Sequence, residues 1–196
     1  MEFDDAVHRR RMVRNFDERP VPPGVVDRML ANAVRAPSAG FTQGWAFLVL
    51  QGREETSRFW SAAFPVEGRA GFRHQGVFRA PLLIVPFSSK DAYLDRYAEP
   101  DKGWTDRDEA RWEVPYWHVD AGFAALLVLL TAVDAGLAAL FFRVSRPVDV
   151  RAAFGVPDEF APVRAIAAGY ALPDERSPSL GRGRRPVEQV VHSGRW

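Results

Sequence analysis

The sequence contains no cysteine. Thiol catalysis, thiolate metal sites and disulfide stapling are therefore excluded. Histidine is scarce: His8, His74, His118 and His192 each stand alone, none at metal-ligand spacing from another, which argues against a dedicated zinc site. No Gly-x-Ser-x-Gly elbow and no Gly-x-x-x-x-Gly-Lys-Ser phosphate loop occurs. "GRGRRP" (181–186) contains glycines, but it follows no strand directly and opens no apolar helix, so a dinucleotide fingerprint is rejected as well. Spacing alone offers no nucleophile–base pair, and no catalytic side chain is assigned. If the chain is an enzyme, its reactive atoms belong to a cofactor.

A large net charge is also missing. Lys and Arg total 26 against 25 Asp and Glu, a formal charge of +1. Sequence-tolerant nucleic-acid binding draws on many phosphate contacts, and "GRGRRP" followed by "HSGRW" offers only a local basic patch beside an aromatic. "MEFDDAVHRR" lacks the apolar run of a secretory signal. The longest apolar stretch, "AGFAALLVLLTAVDAGLAALFF" (121–142), is interrupted at Asp134 after thirteen residues. A membrane span needs about 20, and Asp134-Ala135-Gly136 reads as a helix ending at a glycine cap. A buried helix followed by a strand is expected. The expectation is a cytoplasmic protein with no membrane, nucleic-acid or metal partner.

What remains is a chain of 196 residues, 47% hydrophobic, sized for one domain with a substantial core. Residues 3–11 form a short helix by pattern, with Phe3 and Val7 on one face. "PPGVVDRMLANAVRAPS" starts a second helix at Pro23, with Val26, Met29, Leu30 and Ala33 at helical spacing, and Pro37 stops it. Strand 45–52, helix 53–64 and the continuous apolar strand 80–88 follow. Residues 90–117 are rich in charge, proline and aromatics with little periodicity, and read as an excursion or lid. Helix 119–134, strand 137–144, helix 147–155 and strand 163–172 complete the core. Residues 173–196 form an extended tail with little pattern until "VEQVV" (187–191). Alternating helices and apolar strands predict α/β or α+β layering, with helices covering a sheet.

Two arginine clusters sit at opposite ends, "RRRMVRNF" (9–16) and "GRGRRP". Arg10 and Arg14, four apart, would share a face if the first helix ran that far. They could clamp a phosphate through forked hydrogen bonds. Equally, they could form a solvated basic face or pair with Asp4 and Asp5.

Between the clusters lies "APSAGFTQGWAFLVL" (36–50). Taken in order, the three stretches resemble the FMN-dependent nitroreductase family. Its usual signals are Arg-Arg-Ser-x-Arg-x-Phe, then Pro-Ser-Ser-x-Asn-x-Gln-Pro-Trp-x-Phe, then a basic pair before proline near the C-terminus. "AAFGVPDEFAPVRAIAAGYAL" also matches the family's layout.

The resemblance implies an α+β, nitroreductase-like fold with a mixed or antiparallel sheet flanked by helices. It implies an intertwined homodimer with two FMN sites at its interface. Arg10 becomes a ligand of the FMN phosphate or ribityl chain, and Arg11 and Met12 lie beside it. Arg14 sits near the pyrimidine edge, where reduction leaves negative charge at N1 and O2. Pro37, Ser38, Ala39 and Phe41 line the flavin from the partner subunit. The loop through Arg143 and Val144 supplies a backbone N–H toward N5, and Arg182 and Arg184 close on the phosphate. The activity implied is ping-pong reduction of nitroaromatics, quinones or similar electrophiles by NAD(P)H. A deazaflavin-dependent reductase and a non-catalytic flavin-binding protein are the alternatives.

Three departures from the family pattern matter. Met12 stands where a serine commonly touches the flavin, at a loss of one hydrogen bond and about 1 kcal/mol. Phe41 replaces the asparagine of the Pro-Ser motif, and Gly44 replaces its proline. Phe41 could stack over the ring or pack beside it. The aromatics Trp104, Trp112, Tyr116 and Trp117 could form a lid selecting flat acceptors, a satellite cluster, or a subunit contact.

Overall fold

The structure is a computed structural model describing every residue except Pro65 and Arg176. Its centre is β2 (Leu82–Ser89), buried at every position, as an apolar run covered on both faces must be. Successive side chains point to opposite faces. Leu82 and Ile84 accordingly join one core cluster while Leu83 and Val85 join the other.

On one edge β2 pairs with β1 (Trp45–Gln51). On the other it pairs with β5 (Ala165–Gly169) and, farther along, with the three-residue β4 (Phe160–Pro162). Beyond β5 comes β3 (Ala138–Phe142), giving the order β1-β2-β5-β3 with every pairing between strands antiparallel. The strands are shorter than the apolar runs that predict them, and β4 is an addition the sequence does not announce.

Helices cover both faces. One cluster packs α3 (Gly52–Ala63), through Phe59 and Trp60, and α7 (Pro147–Phe154), through Val150, onto the sheet. The other packs α2 (Pro23–Ala33) and α6 (Tyr116–Asp134) through Met29, Ala125 and Val128. Thus the long apolar helix lies on α2 and β2 as a core element, as expected. It leaves Phe123 and Leu126 exposed. The α1 helix (Phe3–Arg9) packs on α6, and a short α4 (Val66–Ala70) follows α3.

The segment 90–117 differs from its expectation. Lys90–Ala98 is a regular helix, α5, whose first turn is capped by the Ser89 hydroxyl accepting from the Ala92 N–H at 3.2 Å. Its apolar residues Tyr93, Leu94 and Tyr97 do follow helical spacing, but charges and prolines around them mask it. Tyr93 and Tyr97 pack with Trp104, Trp112 and Trp117, with ring centroids 4.5–6.4 Å apart.

This aromatic block moulds the loop 38–44. Asp120, on α6 and only 3% exposed, accepts hydrogen bonds from the Ala39 N–H and the Tyr93 hydroxyl, both at 2.8 Å. Arg96 donates from Nε to the Gly40 carbonyl at 3.0 Å and is itself fixed on Asp101. Gly40 has φ 61°, and a Cβ there would lie 2.7 Å from the Tyr97 ring. A Cβ at Gly44 would meet the Tyr93 ring at 2.6 Å, so proline could not stand there.

Burial, with the Asp120 carboxylate second, raises the Tyr93 hydroxyl far above the ordinary phenol range. A group whose folded value is raised stabilises the fold fully below its unfolded value, and that contribution is lost as pH rises. The unfolding midpoint should therefore fall as pH rises beyond about 10. Tyr93→Phe should destabilise by about 1–3 kcal/mol at neutral pH, since the buried Asp120 loses a donor. It should also flatten the alkaline decline; denaturant unfolding at pH 7 and above 10 checks both.

Candidate anion-binding site

The arginine clusters meet because of how the chain leaves α1. Arg10 caps that helix, so Arg10 and Arg14 share no helical face, contrary to the expectation from their spacing. The following residues instead run along the sheet's edge. Met12 forms a parallel bridge with Ala139 of β3, and the Val13 N–H donates to the Ala139 carbonyl at 3.1 Å. Phe16, fully buried, bridges Ala171 just past β5. The Asp17 N–H donates to Tyr170, and the Leu172 N–H to Asn15. This ladder binds the N-terminal segment to the start of the C-terminal tail.

A cavity of about 740 Å³ lies at that junction. Arg10, Arg11, Met12 and Arg14 line it from one end of the chain, Leu172 to Glu175 and Arg184 from the other. Its volume falls within the roughly 300–1,000 Å³ typical of small-molecule sites.

Charge decides what the cavity suits. Elsewhere, Arg28, Arg53, Arg73, Arg96, Arg107, Arg111, Arg146 and Arg151 each pair with a carboxylate. Other arginines lie over rings, as Arg19, Arg58 and Arg164 do, or stand in solvent, as Arg35 and Arg143 do. What sets the cavity apart is that four converge on it. Arg10, Arg11, Arg14 and Arg184 have no carboxylate partner among the described residues, although Arg10 and Arg14 are half-buried. Asp4 and Asp5 do not pair with them. Two acids do line the cavity, but both are engaged. Asp174 accepts the backbone N–H of Arg14 at 2.7 Å, and Glu175 accepts from Arg73 at 2.7 and 3.1 Å. Partly desolvated guanidiniums without counter-ions favour an incoming anion, and their planar forks suit phosphate.

Met12 has a definite role. Its sulfur accepts the Phe141 backbone N–H at 3.3 Å, and its side chain touches both core clusters. A methionine therefore satisfies a β3 amide beside the cavity, where a serine hydroxyl was expected to be missed.

The remaining sequence-derived residues are not brought to this cavity within one chain. Arg182 is exposed and does not line it. Pro37, Ser38, Ala39 and Phe41 belong to the loop on the aromatic block. Phe41 is 77% exposed with φ 55°, a left-handed conformation that strains a non-glycine residue. Arg143 is exposed past β3, and Val144 is buried in the core against α3 and α7. Asp174, Glu175, Ser177 and Leu180 line the cavity without having been singled out; their position directly after β5 was the only available signal.

Known proteins share this fold. A nitroreductase family protein from Clostridium difficile superposes with TM-score 0.74 at 22% identity over the full length of both chains. A protein from Exiguobacterium sibiricum, solved in complex with FMN, superposes at 0.73 with 20% identity, over 98% of this chain and 97% of its own. A Thermus thermophilus protein described as an NADH dehydrogenase is 28% identical over 207 aligned residues, covering 97% of this chain and 95% of the relative. The profile of the Nitroreductase family matches residues 7–170. That match spans most of the sequence, and the chain belongs to the nitroreductase family.

Proposed function

We propose that this protein is an FMN-dependent oxidoreductase that uses NAD(P)H to reduce nitroaromatics, quinones or related electrophiles. The observation carrying this reading is the set of unpaired arginines from both chain ends around one cavity. Names of relatives agree: NADH dehydrogenase in Thermus thermophilus, and FMN in the Exiguobacterium sibiricum structure.

The donor set fits a flavin mononucleotide. A phosphate monoester carries roughly −1.5 to −2 charges near neutral pH, and Arg10, Arg11 and Arg184 would hold it. Hydrogen bonds to charged groups are worth about 1.5–3 kcal/mol each, so loss of two arginines outweighs most other contacts. Arg14 would stand by the ring, where its fixed positive charge favours the reduced form. Bound FMN supplies hydride transfer from nicotinamide to an acceptor. The protein's part is binding, orientation and electrostatics, so no side chain need act as acid or base.

Loop 38–41 enters the site from a second subunit in this reading. Exposed Phe3 and Val7 on α1 and Phe123 and Leu126 on α6 lie on packed helices and give a homodimer an apolar face to bury. Asp120 and Arg96 hold the loop in a shape that leaves Phe41 exposed, so that in a homodimer it would be free to reach the partner's cavity.

Purified wild-type protein should be yellow, and mass analysis should find FMN in the released chromophore. Arg10→Ala combined with Arg184→Ala should yield folded, largely colourless protein; full occupancy would refute the phosphate role. Phe41→Asn should shift relative kcat/KM among acceptors more than it shifts FMN retention. Unchanged ratios for all acceptors would place Phe41 outside the pocket.

A further inference from the structure

Backbone strain is concentrated in the loop that rests on the aromatic block. Gly40, Phe41 and Gln43 adopt positive φ, at 61°, 55° and 52°. Left-handed backbone costs a non-glycine residue free energy and persists only where its surroundings over-determine it. Phe41 buries little in return, since 77% of it is exposed. An outlier of this kind points to function, and the contacts that impose it become candidates for the same function.

The peptide unit between Gly40 and Phe41 is held at both ends. Its N–H, that of Phe41, donates to the Ser38 carbonyl at 2.9 Å. Its carbonyl, that of Gly40, accepts from Arg96 Nε at 3.0 Å. A peptide unit is planar, so turning this one changes Gly40 ψ and Phe41 φ together. Arg96 therefore grips the plane that sets where the Phe41 side chain points. Asp120 grips the Ala39 N–H, two peptide units earlier. Arg96 is fixed in turn: its terminal nitrogens fork onto the Asp101 carboxylate at 2.6 and 2.8 Å. Asp101 stands in the turn that ends α5, closed by the Gly103 N–H on the Glu99 carbonyl at 2.8 Å. The Trp104 N–H, on the Tyr97 carbonyl at 2.8 Å, ties that turn back to the helix. Only a planar guanidinium can serve the carbonyl and both carboxylate oxygens at once in fixed directions.

We propose that Arg96, oriented by Asp101, is a positioning residue that sets acceptor specificity through Phe41. It touches neither cofactor nor acceptor; it holds the strained peptide that presents the Phe41 ring. Without it, the peptide unit relaxes toward negative φ at Phe41, and the ring no longer shapes the pocket in one fixed way. The specificity role rests on the functional reading in which loop 38–41 enters a second subunit's cavity. The clamp itself does not.

Comparing purified wild type with Arg96→Ala tests both parts. Hydrogen exchange across residues 38–44, followed by mass spectrometry, reads the loop whatever cofactor is bound. Exchange there should quicken at least about tenfold in Arg96→Ala; an unchanged rate overturns the clamp. Steady-state turnover with 1,4-benzoquinone and with menadione reads specificity. Partial unfolding lowers both activities equally, so the ratio of the two kcat/KM values reports the pocket alone. That ratio should move at least about threefold in Arg96→Ala, toward its value in Phe41→Ala, and combining the two changes should move it no further. A ratio unchanged from wild type, or effects that add in the double variant, overturns the specificity role. Asp101→Asn, at an exposed carboxylate, should shift both readouts in the same direction and takes the place of Arg96→Ala if that variant does not fold. Wild-type protein that reduces neither quinone overturns the functional reading and the specificity role with it, while hydrogen exchange still decides the clamp.

Discussion

The backbone ladder joining residues 12–17 to β3 and to the end of β5 governs the site. β3 is one of the sheet's two outer strands, and an edge strand presents unpaired donors and acceptors. The chain resolves this by laying Met12 and Val13 along that edge and pairing Phe16 and Asp17 with the residues that follow β5. The N-terminal arginines and the departing C-terminal tail then have to emerge side by side. Electrostatic repulsion among Arg10, Arg11, Arg14 and Arg184 opposes that placement. Against it stand the hydrogen bonds that the Val13, Asp17 and Leu172 N–H groups gain in the ladder, and an anion would offset it.

A second constraint shapes the opposite part of the molecule. Asp120 is buried on a largely apolar helix, and a buried carboxylate is costly unless hydrogen-bonded. Its two donors come from α5 and from loop 38–44, so one side chain ties three segments together. The aromatic residues of 93–117 act as a buttress behind that loop. The loop's left-handed residues at Gly40, Phe41 and Gln43 are held by these contacts rather than by local preference. Tyr93 and Tyr97 also explain why glycine stands at positions 40 and 44.

Much of the fold could be read from the residues. The continuous apolar run of β2, the Pro23 start of α2 and the Asp134-Ala135-Gly136 end of α6 are local signals, and each element formed close to its expected place. Failures arose where tertiary contacts overrode local pattern. The first helix stops at Arg9 because the next residues pair with β3. Helix α5 is hidden because Tyr93 and Tyr97 pack against loop 38–44 and the tryptophans while charged neighbours face water. The arginines were legible as a pair of clusters, but their convergence depends on a ladder between residues more than 120 positions apart.

Guanidinium groups from both termini converging on one phosphate is the central claim, and comparing FMN with riboflavin tests it most directly. The two differ only in the phosphate. Apoprotein prepared by removing any bound chromophore should bind FMN at least 100-fold more tightly than riboflavin. That ratio corresponds to about 2.7 kcal/mol, less than two charged hydrogen bonds supply. Equal affinities, measured by quenching of flavin fluorescence at the same ionic strength, would contradict it.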